Sequence, residues 1–178
     1  PMKRLIVIFS GLFLLIACSD FKQKEQLKAV EQLKSEATTL SKDFQASFPD
    51  TLSTMRQNMM QLQLFLQQHV VLDSVDRTYA KDMDTYKLAR KKIGPINKQY
   101  VALKQAFVKE NTRLSQLHSD ISNGFGKRDR YDAYIATEKK NITLLESRLN
   151  ELKKELNALM DAYRLLHPKL NSLAGKFK

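Results

Sequence analysis

The chain has 178 residues, 43% apolar and 28% charged, with 30 basic against 19 acidic side chains, a net charge of +11, one cysteine and no tryptophan. A lone thiol excludes an intrachain disulfide framework and a multi-cysteine zinc site, and five glycines with four prolines are too few for a turn-rich β-protein. Long runs of Leu, Lys, Glu and Gln predict an all-α chain, while the positive excess favours either anionic partners or a plain solvated lysine surface.

Pro1 precedes the first patterned stretch, which opens at Met2. Lys3 and Arg4 form a basic segment, and Leu5 to Ile16 (LIVIFSGLFLLI) is unbroken by charge. As a helix that apolar run would cover about 18 Å, short of the roughly 30 Å hydrocarbon core of a bilayer. It therefore reads as a secretory signal peptide over 1–17 rather than as a membrane span.

Leu15-Ile16-Ala17-Cys18 follows directly and resembles the lipobox of bacterial lipoproteins. The resemblance implies a lipid on the Cys18 sulfur, cleavage before it and acylation of the new amino terminus. Several acyl chains, at about 0.8 kcal/mol per buried methylene, make a stable anchor. In the enterobacterial sorting pattern an Asp next to that cysteine favours the inner membrane; here Ser19 stands there and Asp20 comes second. The resemblance thus implies the outer membrane, on its periplasmic side or at the cell surface. Residues 18–20 are the attachment segment, and 21–178 the helical bundle domain.

The first helical pattern covers Phe21 to Ser47, with the 3-4 spaced seam Val30, Leu33, Ala37, Leu40 and Phe44. An extended residue spans at most about 3.6 Å, so two residues of tether hold this helix close to the membrane. Pro49 separates it from the next pattern, with Ser47 or Asp50 as expected N-caps. That second pattern, Thr51 to Lys92, reads Leu52, Met55, Met59, Leu62, Phe65, Leu66 and His69. It then slips phase near 70–76, where a kink or break is expected, and resumes as Leu72, Val75, Tyr79, Met83, Tyr86, Ala89 and Ile93. Met55, Met59, Met60 and Met83 read as core filler.

Gly94-Pro95 is expected to break the chain, with Pro95 as the first residue of a third helix ending near Ser122. Its seam is Ile96, Tyr100, Leu103, Phe107, Glu110, Leu114, Leu117 and Ile121. Asn123-Gly124-Phe125-Gly126 is the clearest turn in the chain. Asp129 is expected to cap the last and longest helix, 130–167, with Asp132 in its first turn. That helix carries the most regular seam: Ile135, Glu138, Ile142, Leu145, Leu149, Leu152, Leu156, Leu159, Tyr163 and Leu166. At 1.5 Å per residue it is a rod of roughly 57 Å. A short turn makes the third and fourth helices antiparallel neighbours. Pro168 is expected to stop or kink the last one, although Leu170, Leu173 and Phe177 keep its phase. The fold expected is thus an elongated antiparallel bundle, or coiled-coil hairpin, of about four long helices.

Candidates for chemistry are few. Counting outward from the turn brings Glu110 and Glu138 within about one layer. Carboxylate-bridged metal bundles use Glu-x-x-His, and the residues three on are Arg113 and Asn141, so polar register-setting or snorkelling to solvent is expected instead. His69, His118 and His167 are scattered; His69 with Asp73 makes at most a two-ligand site. No Ser-His-Asp order, phosphate loop or nucleotide turn is recognisable. The expectation is a non-enzyme with no cofactor and no metal. From Lys87 to Lys109 the chain has basic residues and no acidic one, and Lys87, Arg90, Lys91, Lys92 and Lys98 form a possible anion-binding patch. An exported protein meets lipid phosphates, envelope polysaccharide or acidic proteins rather than nucleic acid.

Stretches such as Ile121-Ser122-Asn123-Gly124, Tyr134-Ile135-Ala136-Thr137-Glu138-Lys139 and Leu166-His167-Pro168-Lys169 resemble small helical lipoproteins of the Bacteroidetes. In that setting Asp50-Thr51-Leu52 and Asp73-Ser74-Val75 resemble the phylum's O-glycosylation triplet. Lys176-Phe177-Lys178 resembles the end of the major murein lipoprotein, which implies a tether to peptidoglycan through the terminal Lys. A basic helical envelope protein is also similar to the Skp-type chaperones, without their β-strand body. The leading expectation is a lipid-anchored structural or protein-interaction module of the cell envelope with a protein partner, and a homo-oligomer is open to it. A periplasmic holder of envelope proteins comes second.

Overall fold

In the computed structural model, side chains are described for residues 21–70 and 77–177, and the backbone also for 2–20. The elements are α1 (Met2–Ser47), α2 (Leu52–His69), α3 (Arg77–Asn123) and α4 (Tyr131–Ala174), with 3-10 turns at Arg128–Arg130 and Gly175–Phe177. No strand occurs among the described residues, so the chain is an all-α helical bundle. The leader and Cys18 fall outside the residues with described side chains. Val70, in extended conformation, closes α2 with its N–H donated to the Leu66 carbonyl at 3.0 Å. The rest of the expected phase slip, 71–76, lies outside the described residues.

The largest departure from the expected order is at Gly94-Pro95. In place of a break, α3 runs unbroken from Arg77 to Asn123 with Pro95 inside it. Proline has no N–H for the carbonyl four residues back, and its ring normally clashes with the Cβ of the residue before it. Gly94 has no Cβ to clash. Ile93 and Ile96 flank the pair and are both buried, so turning the helix aside here would expose two core side chains at about 1.5–3 kcal/mol each. Pro168 likewise sits inside α4, which continues to Ala174, because Leu166, Leu170 and Ala174 stay on the buried seam.

Helix ends needed corrections too. The residue before α2 is Thr51, with no side-chain cap bond, so neither Ser47 nor Asp50 caps it. Asp129 lies within the 3-10 turn ahead of α4 rather than at its cap, and Asp132 is the acid in the first helical turn. Met60 is exposed while Met55 and Met59 are buried.

By compactness the chain forms two units, each assembled from segments distant in sequence: Pro1–Asp43 with Gln105–Glu146, and Phe44–Lys104 with Ser147–Lys178. The first unit has a core of Val30, Leu33, Ala37, Leu114, Leu117, Ile121, Tyr131 and Ile142, drawn from α1, α3 and α4. Its α3–α4 turn is closed by a Schellman pair, Phe125 N–H to the Asp120 carbonyl at 2.8 Å and Gly124 N–H to the Ile121 carbonyl at 3.2 Å. That arrangement needs a left-handed residue, and Gly124 has φ +67°. The Tyr131 hydroxyl donates to the carbonyls of Asp120 and Phe125. From α1, Gln23 donates to the Ile121 carbonyl at 2.7 Å. The carbonyls that a helix end leaves without partners are thereby occupied. Asp132 binds α4 to α1 through Gln26 at 2.6 Å and Lys22 at 3.0 Å.

The second unit buries Met59 and Leu66 from α2, Tyr86 and Ile96 from α3, and Leu149, Leu152, Leu159 and Leu170 from α4. Phe44 and Phe48 both stack on Tyr100, with ring centres 4.7 Å and 4.2 Å away. Gln99 of α3 donates to Glu155 of α4 at 3.0 Å, and Lys169 pairs with Asp82.

Candidate anion-binding face

All five residues of the basic patch lie on α3 in the second unit. Tyr86, Ala89, Ile93, Ile96 and Leu103 set the buried side of this helix. Lys87, Lys91 and Lys98, four and seven residues apart, share the opposite side and are exposed. Helical rise spreads them over roughly 17 Å in a nearly straight row. Among the described residues none of the three has a carboxylate partner, in contrast to Lys22, Arg113 and Lys169. Lys92 is exposed but lies about 100° around the helix from Lys91, off the row. Arg90 is turned away from it and donates through Nε to Gln63 of α2 at 3.0 Å, holding the otherwise lone buried amide of that helix.

What lies beside the row is set by the packing of α3 against the segment that leads into α2. A cavity of about 340 Å³ is walled by Phe48, Leu52 and Arg56 on one side and by Gly94, Asn97 and Tyr100 of α3 on the other. Gly94 belongs to both features, and a methyl group placed on it would meet nothing within 4 Å. Asp50 is also in the wall. Charge is unevenly shared between the units: the second has 16 basic and 8 acidic residues, the first 14 and 11.

The two acids expected within a layer of each other are indeed joined, through Arg113. It bonds Glu110 three residues back and reaches Glu138 of α4 at 3.4 Å. Asn141 donates to the same Glu138 oxygen at 2.7 Å. Snorkelling does not occur at Glu110: its side chain is 0% exposed, and Oε1 has no partner among the described residues. Burial pushes this carboxyl above the ordinary carboxylate range; the Arg113 bond pulls it down, and the neighbouring Glu138 pushes it up again.

A second polar contact was not foreseen. The Tyr86 hydroxyl, fully buried, lies 2.5 Å from Nδ1 of His167. His167 stacks on Tyr163 with ring centres 4.6 Å apart. Burial raises the Tyr86 hydroxyl, helped by Tyr163, and lowers the His167 imidazole, so a protonated phenol and a neutral ring share this hydrogen bond. A heptad reading sees Tyr86 as core and His167 as scattered, since only the pairing of α3 with α4 puts them together. His69 is exposed and stacked on Phe65 at 4.2 Å. His118 stands 3.5 Å from Glu31.

Among the described residues, no group of three or more His, Cys, Asp or Glu is placed to hold a metal ion, and no helix is long and apolar enough to cross a membrane. Compared with known proteins, the chain matches no family model, no curated sequence and no solved structure.

Proposed function

We propose that the protein is a lipid-anchored module of the cell envelope, a non-catalytic helical bundle that presents its helix faces to an envelope partner. The observation that carries this reading is the N-terminal order of basic residues, apolar run and Leu15-Ile16-Ala17-Cys18 directly ahead of a helical body. The anchor is the acylated Cys18, in the outer membrane by the Ser19 pattern. Support for a non-catalytic role comes from the structural contacts that engage the bundle's buried polar side chains, Oε1 of Glu110 excepted. Gln63 holds Arg90, Tyr86 holds His167, and Glu110 meets Arg113; each pair binds helix to helix or turn to turn.

The test is mass spectrometry of the exported protein together with crosslinking in intact envelopes. The expected result is an N-terminal peptide starting at an acylated Cys18, membrane release on Cys18→Ser, and a saturable crosslinked partner. A free Cys18 thiol in the exported protein, or crosslinks that never saturate, would overturn it.

A further inference from the structure

We infer that the solvent face of α3 in the second unit is a docking strip for a linear anionic polysaccharide. This deepens the proposed envelope role by naming the chemistry of a partner. Three ammonium groups in line over roughly 17 Å match a chain with repeated negative charges. A compact ion such as free phosphate can span the one turn between Lys87 and Lys91 but not the whole row. The groups are lysines, point charges on flexible stems without the planar fork that reads a single carboxylate or phosphate in two-pronged fashion, so the face suits a diffuse polyanion. Between Lys91 and Lys98 the helix drops to Gly94, whose open side borders the cavity of about 340 Å³. That volume is at the small end for a ligand pocket, of a size for one ring of a polymer rather than for a separate large ligand. Its wall offers the Arg56 guanidinium, the Asn97 amide and the Ser53 hydroxyl, donors suited to carboxylate and ring hydroxyls, and one acid, Asp50, able to accept from a hydroxyl.

Two other anionic surfaces fit less well. A membrane surface rewards insertion of an apolar face, and α3 in this unit offers it just two separated exposed large apolar side chains, Leu88 and Val101, while Tyr86, Ile93, Ile96 and Leu103 are buried. A protein interface is anchored by aromatic residues and arginine and is depleted in lysine, the reverse of this row.

The experiment measures binding of the full-length chain, held in non-ionic detergent, to polygalacturonate, to poly-L-glutamate and to vesicles of phosphatidylcholine with phosphatidylglycerol, across a salt series. Three proteins are compared: the wild type, the combined Lys87→Gln, Lys91→Gln, Lys98→Gln and Arg56→Gln variant, and a charge-matched control with Lys127→Gln, Arg128→Gln, Lys139→Gln and Lys140→Gln. Circular dichroism checks that each is folded. The expected result is polygalacturonate binding that weakens with salt and falls at least about tenfold in the first variant, by loss of released counterions, while the control keeps it. Poly-L-glutamate and vesicles should bind more weakly than polygalacturonate. The inference is overturned if the wild type ignores polygalacturonate, if the control loses as much as the strip variant, or if polyglutamate or vesicles are preferred. None of these outcomes bears on acylation of Cys18, so the anchoring proposal stands or falls separately.

Discussion

Glu110 offers the sharpest test of how this bundle is held. Its carboxyl is 0% exposed and leaves Oε1 without a partner among the described residues, while Arg113, its ion-pair partner, is half exposed and also serves Glu138. A buried polar atom without a partner costs about 1–3 kcal/mol, and apolar replacement of buried ionic groups is often neutral or stabilising by about 1–4 kcal/mol. Glu110→Leu should therefore stabilise the protein at neutral pH by about 1–3 kcal/mol, since the Arg113 guanidinium left behind can reach water. For a chain of this length that is a melting temperature higher by about 2–4 °C per kcal/mol.

The pH dependence follows from the direction of the shift. Burial first, and Glu138 after it, raise the folded-state value above the ordinary one, so the folded protein holds this proton longer than the unfolded chain does. Its contribution to stability is complete below the ordinary carboxyl value and is lost as pH rises through the raised one. Urea denaturation of wild type and variant from acid to neutral pH isolates the effect as a difference, because the other carboxylates cancel. The advantage of Glu110→Leu should be smallest at acid pH and grow toward neutrality. A variant that is less stable at every pH, or a difference that does not change with pH, would refute the reasoning and make Glu110 a stabilising charge.

Further outcomes follow from the helix interiors and ends. Pro95→Ala returns an N–H to an exposed position of α3 and should raise stability by about 1–3 kcal/mol in thermal unfolding; a lower melting temperature would mean that the fold depends on the proline. Gly124→Ala places a Cβ at φ +67° and 2.3 Å from the Arg128 side chain, so urea unfolding should show a loss of about 1–2 kcal/mol. At Gly126, with φ +77° and open space around it, the same change should cost no more than that. Tyr86→Phe removes the hydroxyl bonded to His167 and should cost about 1 kcal/mol. Burial lowers the His167 imidazole, so its contribution is present at neutral pH and is lost as pH falls from the ordinary histidine value through the lowered one. Stability of His167→Gln, followed by circular dichroism, should be flatter across that acid window than the wild type.

The seams show how much the sequence alone determined. Along the repeats from Ile142 to Leu159 in α4 and from Leu103 to Ile121 in α3, the side chains that recur at three and four are buried, whereas Leu40, Ile135 and Leu173 on the bundle's seams are half-buried. Periodicity fixes which face of a helix must leave water, and the turn at Gly124 was legible because left-handed backbone demands glycine. The basic run of α3 was equally plain, being a local pattern of residue type. Local signals misled at Gly94-Pro95 and at Pro168, where the penalty of one proline is of the same order as that for uncovering the neighbouring core residues. Only the bundle decided that contest in favour of continuous helices. The tertiary structure also decided that Glu110 is sealed from solvent, that Tyr86 finds His167 more than 80 residues away, and that Arg90 leaves the basic row for Gln63 while Lys87, Lys91 and Lys98 stay beside an open notch. Each of these depends on which helix faces which, and long-range pairing is set by the sum of many contacts rather than by any stretch of sequence.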